Sequence, residues 1–193
     1  MTVEDRDKWN RKYAEGTYVC SHHPEAWLKH CVGQLAPGRA LELACGLGHN
    51  SVWLAQQGWT VDAVDVSKTG LDLARSQAER EQVEVNWIEA DLDDWIPPPD
   101  SYDLICVFRF LDRERLPKWI PNSLRAGGLL CYETFLRSQF NRPDNHFKSD
   151  RFALESGELP KLFATLERES YEEVSLADRD VARFLGRRII FQR

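Results

Sequence analysis

The chain has no apolar run approaching the length of a bilayer span, and its first eight residues, Met1-Thr-Val-Glu-Asp-Arg-Asp-Lys8, are charged where a signal region would be apolar. A cytoplasmic protein without membrane attachment is expected. There is no C-x-x-C pair: the five cysteines, Cys20, Cys31, Cys45, Cys106 and Cys131, are odd in number and widely spaced. Neither a disulfide framework nor a zinc ribbon is expected from that pattern. Cys45, Cys106 and Cys131 lie in or beside apolar runs, where cysteine acts as a small hydrophobe. Cys20, His22 and His23 suggest a metal, but adjacent histidines rarely reach one ion and no second cluster stands nearby, so no metal is expected. Positive charge is also short, with 25 Lys and Arg against 31 Asp and Glu and a net charge of −6. That balance opposes nonspecific nucleic-acid binding, which needs a basic face to displace phosphate counterions. Internal repeats and low-complexity segments are lacking, and 193 residues leave room for one domain of ordinary size, 1–193.

What is present is an alternation of short apolar strands with amphipathic helices. Pro24 and Gly33 bracket a helix over about 24–34, and Pro37-Gly38 turns the chain into a buried strand at 39–44. A glycine turn at 46–48 leads into a helix that Asn50 or Ser51 can cap and Gly58 ends. A second strand follows at 60–65, then a helix over about 68–81 capped by Ser67, with Leu71, Leu73 and Ala74 inward. Residues 83–88 alternate apolar and polar as a third strand, and 102–108 read as a strand covered on both faces. The remainder predicts a proline-interrupted helix at 113–124, a strand at 129–133, a polar loop at 137–151, a helix at 156–163, and two strands near 165–174 and 181–192. Such alternation implies right-handed crossovers and a mostly parallel α/β sheet, closed by an antiparallel hairpin.

In an open α/β sheet, ligands bind beyond the carboxyl ends of the strands. The first such end reads Ala44-Cys-Gly46-Leu-Gly48-His-Asn50. Its two glycines permit positive φ and close approach of a ligand to the backbone. The dinucleotide pattern G-x-G-x-x-G would need a third glycine where Ser51 stands, which weakens a nicotinamide-dependent dehydrogenase reading. Asp65 ends the second strand, where a carboxylate can accept from both ribose hydroxyls of an adenosine. Asp91, after the third strand, can face an adenine amino group while Leu92 packs on the ring. Taken singly, each acid reads equally well as a helix cap or a solvated loop residue.

Glu42-x-x-x-Gly46-x-Gly48, Val61-Asp-Ala-Val-Asp65-Val66-Ser67 and Glu89-Ala-Asp91-Leu92 together resemble the successive cofactor motifs of class I S-adenosylmethionine (SAM)-dependent methyltransferases. The resemblance implies a Rossmann-like three-layer sandwich with a seven-stranded sheet, order 3-2-1-4-5-7-6, the last strand antiparallel. It implies SAM as cofactor, with S-adenosylhomocysteine as product. Glycines 46 and 48 would hold the methionine portion, Asp65 the ribose and Asp91 the adenine amino group. The cofactor-binding set carried onto this chain is Trp9, Tyr13, Glu42, Ala44, Gly46, Gly48, Asn50, Asp65, Val66, Ser67, Asp91, Leu92 and Phe108. Trp9-x-x-x-Tyr13, Leu43-Ala-Cys-Gly-x-Gly-x-Asn50 and Ser156-Gly-Glu-Leu159 resemble the tellurite-resistance-type branch. Residues 1–36, with Trp9, Tyr13 and Tyr18, would then form an N-terminal helical cover; otherwise these aromatics are a patch packing on the sheet edge. The tellurite enzymes carry a His-Arg pair near the final hairpin, and the comparable region here reads Glu172-Glu173, which argues against tellurite as the substrate.

The methyl acceptor is less legible. Methyl transfer is an in-line displacement that needs alignment and exclusion of water. A soft chalcogen nucleophile needs no base, whereas oxygen and nitrogen acceptors usually do. Arg109 can pair with an anionic acceptor, and Phe108 and Phe110 either wall its pocket or belong to the core. Glu133 is a base, a substrate ligand or a structural hydrogen-bond acceptor. His146 lies in a basic stretch with Arg142, Lys148 and Arg151 that is either a lid or a solvated loop. Phe108-Arg-Phe110-Leu lacks the Pro-Pro-aromatic motif of amino-methylating DNA enzymes. The expectation is a methyltransferase, monomeric or homodimeric, acting on a small molecule: a thiol, a chalcogen oxyanion or another small anion. A non-catalytic SAM-binding sensor or regulatory protein is the alternative.

Overall fold

The computed structural model describes residues 3–17, 23–33, 35–143, 145 and 150–189. Tyr18, Cys20, His22, His146 and Lys148, singled out above, lie outside the described residues. The seven strands form one sheet in the order β3-β2-β1-β4-β5-β7-β6, the order the resemblance implies. Contacts divide the chain into two compact units, Met1–Pro97 and Pro98–Arg193.

In the first unit the elements are α1 (Val3–Ala14), α2 (Ala26–Val32), β1 (Arg39–Leu43), α3 (His49–Gln56), β2 (Thr60–Asp65), α4 (Lys68–Arg80) and β3 (Asn86–Glu89). β1 pairs with β2 and β2 with β3, all parallel. Ala40, Leu41, Leu43, Ala63 and Val64 are fully buried, as strands covered on both faces must be. α1 carries Glu4 and Asp5 in its first turn and Arg11 and Lys12 in its last, matching the helix dipole.

Three local expectations change here. α3 is capped by the backbone of Gly48 in the left-handed conformation, because the Asn50 and Ser51 side chains turn to Glu42 instead. Leu73 is 47% exposed, whereas Leu71, Ala74 and Ala78 are buried. Two positions along a helix is a rotation of about 200°, so Leu73 cannot share their face. β3 starts at Asn86, not Val83: Gln82 takes φ +56° and the Val83 N–H returns to the Ala78 carbonyl, so residues 82–83 finish α4. Ser67, by contrast, caps α4 as its sequence implies, accepting from the Gly70 N–H at 3.1 Å.

In the second unit the elements are β4 (Tyr102–Phe108), α5 (Leu116–Ser123), β5 (Leu124–Phe135), α6 (Leu159–Leu162), β6 (Glu167–Ser175) and β7 (Asp180–Arg187). β4 and β5 are parallel, and β7 lies antiparallel between β5 and β6. Leu104, Ile105, Cys106 and Val107 are all fully buried. The proline-bearing helix begins at Leu116, because the Asp112 carboxylate holds the N–H groups of Glu114 and Arg115 in a turn first. β5 begins five residues earlier than its apolar core, through Gly127 at φ +80°. Segment 137–151 is not wholly loop: Arg137–Asn141 and Asp150–Phe152 are 3-10 helices. Among the described residues no helix is long and apolar enough to cross a membrane, and no group of three His, Cys, Asp or Glu side chains is placed to hold a metal ion.

Candidate functional site

The turn after β1 is built from left-handed backbone: Ala44 at φ +53°, Gly46 at +57° and Gly48 at +69°. Such angles cost an alanine of order 1 kcal/mol or more and persist where the surroundings enforce them. Asp65, at the carboxyl end of β2, does much of that enforcing. Its Oδ2 accepts from the Gly46 N–H and its Oδ1 from the Ser67 N–H, both at 2.8 Å. Burial pushes this carboxyl above its ordinary range, against the pull of the Ser67, Gly46 and Val66 N–H groups. A carboxylate has about four acceptor positions, so these bonds leave capacity for a ribose diol. The residues present therefore suit an adenosine ligand.

Beneath the turn lies a second buried carboxylate. Glu42 Oε1 accepts from Asn50 Nδ2 at 2.8 Å, and Oε2 accepts a short hydrogen bond from the Ser51 hydroxyl. Asn50 Oδ1 accepts from the Glu25 N–H at 2.8 Å. One network thus ties α2, β1 and α3 together. Burial raises the Glu42 carboxyl to about 7, with the Ser51 and Asn50 bonds opposing. The polar atoms of Glu42 and Asn50, both assigned to cofactor binding from sequence, are engaged with the protein itself in this arrangement.

The two glycines differ. A Cβ on Gly48 would lie 2.5 Å from the Trp87 ring and 2.8 Å from the Ala74 Cβ, so Gly48 is where α4 and β3 press on the turn. A Cβ on Gly46 would meet the Tyr13 hydroxyl at 2.7 Å. Tyr13 is buried and stacks on Trp9, with ring centroids 5.6 Å apart. Val66, Ser67 and Leu92 are also buried. Asp91 Oδ1 accepts from the Asp93 N–H at 2.9 Å. Burial works against the charge of Asp91, but influences including that N–H and Arg6 of α1 outweigh it and hold the carboxyl below its usual range. Sequence reasoning missed Asn10, whose Oδ1 accepts from Ser67 Oγ at 2.7 Å and from the Thr69 N–H at 3.1 Å.

In the second unit, β4 ends at buried Phe108, and Arg109 follows in the left-handed region at φ +56°. Its N–H donates to the Glu133 carbonyl at 2.9 Å. The Glu133 side chain is fully buried, accepting from Arg183 Nε at 2.7 Å and Arg179 Nη2 at 3.3 Å. Burial disfavours the Arg183 charge, yet Glu133 and Glu172 more than offset it and hold that guanidinium above its ordinary range. Both carboxylate oxygens of Glu133 are thus engaged by arginines at the final hairpin. Neither arginine was singled out from sequence: their partner is some 50 residues away. The final hairpin does carry an arginine, Arg179, directly before β7. Glu173 accepts from the Ser156 hydroxyl, the Tyr171 hydroxyl and the Gly157 N–H, joining the Ser156-Gly157 motif to β6. Nearby, Leu136, Arg137, Ser138, Phe140, Leu154 and Glu173 line a cleft of about 600 Å³.

Residues 40–128 match a protein family described as a methyltransferase domain. Together with the sheet order and the glycine turn, that match makes the chain similar to the class I SAM-dependent methyltransferases. Within the class it resembles TehB. It is 31% identical over 91 residues to "Probable S-adenosyl-L-methionine-dependent methyltransferase TehB" of Haemophilus influenzae, 46% of this chain and 32% of that protein. The crystal structure of that TehB superposes with a TM-score of 0.70 at 21% identity, covering 95% of this chain and 66% of the other, a likeness of fold. Ubiquinone biosynthesis O-methyltransferase of Coxiella burnetii is 29% identical over 102 residues, 51% of this chain and 44% of that protein. Hemagglutinin 1 of Eikenella corrodens is 30% identical over 152 residues, 76% of this chain and 49% of that protein. The chain spans half or less of the length of each of these relatives.

Proposed function

We propose that this protein transfers a methyl group from SAM to a small-molecule acceptor, the whole chain working as one methyltransferase domain with residues 1–36 as its cover. The observation that carries the proposal is the Asp65 carboxylate bridging the Gly46 and Ser67 N–H groups at 2.8 Å, with acceptor capacity to spare. When bound, the cofactor supplies a methyl group on a cationic sulfur and is already activated for displacement. In this reading Asp65 takes the ribose hydroxyls, Asp91 takes the adenine amino group, and Val66 and Leu92 flank the ring. Glu42 and Asn50 act from beneath, holding the turn in its left-handed conformation. Acceptor recognition falls to the second unit, with Arg109, Arg179 and the 600 Å³ cleft as the candidates. Cavities of that size suit small ligands. The ubiquinone biosynthesis O-methyltransferase relative supports a small acceptor over a macromolecular one.

The test is incubation of the purified protein with methyl-labelled SAM and a panel of thiols, chalcogen oxyanions, phenols and carboxylates, with DNA and RNA as further substrates. Label should move to at least one small acceptor. Transfer only to nucleic acid would overturn the substrate class, and tight SAM binding without any transfer would favour a sensor.

A further inference from the structure

We propose that Asn10 is a positioning residue that latches α1 over the glycine turn, making the helix a cover whose opening sets the rate of cofactor entry and exit. The proposal rests on the reading of that turn as the SAM site. Asn10 Oδ1 receives two hydrogen bonds from the start of α4, from Ser67 Oγ at 2.7 Å and the Thr69 N–H at 3.1 Å, across 57 and 59 residues of sequence. Ser67 Oγ also accepts from the Gly70 N–H, so the latch closes on the cap of α4, two residues beyond Asp65.

Tyr13, three positions further along α1, is wedged between Gly46 and Gly70. A methyl group on Gly46 would come within 2.7 Å of its hydroxyl, and one on Gly70 within 3.0 Å of its ring. Trp9 backs that ring, and Arg6 bears electrostatically on Asp91. Residues 6, 9, 10 and 13 recur at the three- and four-residue spacing that puts side chains on one face of a helix. That single face therefore reaches the glycine turn, the cap after Asp65 and the Asp91 loop.

Most described residues of α1 are exposed or half-buried. Tyr13 is its one buried side chain among the described residues, and a polar helix of 12 residues is marginal on its own. Losing both Asn10 bonds should release the cover about tenfold more often, the consequence of two ordinary hydrogen bonds.

The experiment uses Asn10→Ala and Asn10→Asp in the full chain. Both bonds need only an oxygen acceptor, which aspartate retains. In the ligand-free protein, amide hydrogen exchange across residues 3–14 should speed up about tenfold in Asn10→Ala and return towards wild type in Asn10→Asp. In stopped flow, SAM association and dissociation should both accelerate in Asn10→Ala by a similar factor, with Kd moving less than either rate; a simple loss of fold would not give that signature. Unchanged exchange in Asn10→Ala overturns the latch, and faster exchange with unchanged SAM rates overturns the gating role. A wild-type protein that fails to bind SAM overturns the reading of the turn, while the exchange measurement still decides the latch.

Discussion

Replacing Glu42 with glutamine removes a titratable group from beneath the glycine turn while leaving the side chain's shape. In the folded protein its carboxyl sits at about 7, against an ordinary 4.5, because burial outweighs the bonds from Ser51 and Asn50. Below pH 4.5 both folded and unfolded chains hold the proton, and the contribution of Glu42 to stability is complete. As pH rises from 4.5 towards 7 the unfolded chain releases its proton first, so the folded state loses ground. The gap between 4.5 and about 7 corresponds to about 3 kcal/mol, lost by pH 8. Glutamine can accept from Asn50 through its amide oxygen and donate to the Ser51 hydroxyl, which accepts as readily as it donates. Urea unfolding of both proteins, followed by tryptophan fluorescence between pH 4.5 and 8, measures the difference directly. Wild type should lose about 3 kcal/mol relative to Glu42→Gln across that window, and the variant should equal or exceed it at pH 8. Parallel pH profiles for the two proteins would refute the account of Glu42 as a buried carboxyl that retains its proton near neutrality.

Gly48→Ala should lower stability by about 2–4 kcal/mol, since it combines a left-handed backbone with a Cβ 2.5 Å from the Trp87 ring. Thermal denaturation would measure it, and adding Trp87→Leu should recover part of the loss; no recovery would show that the ring is not the obstacle. Glu133→Gln leaves Arg179 and Arg183 without their shared buried carboxylate and should cost about 3 kcal/mol in urea unfolding. An unchanged midpoint would show that the negative charge of Glu133 is not what holds the two arginines.

The glycine turn was legible because its chemistry is local. Asp65 reaches Ser67 two residues away and Gly46 across one βα unit, and strand and helix periodicities set that spacing. The order of the sheet came through the motifs that carry the family resemblance, since strand alternation alone does not fix which strands are neighbours. Asn10 was silent in the sequence because its two bonds span more than 50 residues, and an asparagine in a polar helix carries no periodic signal. Arg179 and Arg183 were silent for a similar reason. They stand among other charges, and only the antiparallel register of β5 with β7 places Arg183 opposite Glu133. Asn50 and Ser51 looked like helix caps because caps use those residue types, but a buried carboxylate one strand below competes for them and wins.

The central claim is that the turn between β1 and α3, with Asp65, is a SAM site. Isothermal titration of the protein with SAM, with S-adenosylhomocysteine and with NAD tests it most directly, repeated on Asp65→Ala. The account predicts binding of both adenosyl ligands, little or no NAD binding, and a loss of about 1–3 kcal/mol in SAM affinity in Asp65→Ala. NAD binding tighter than SAM, or an Asp65→Ala protein with the wild-type Kd, would contradict it.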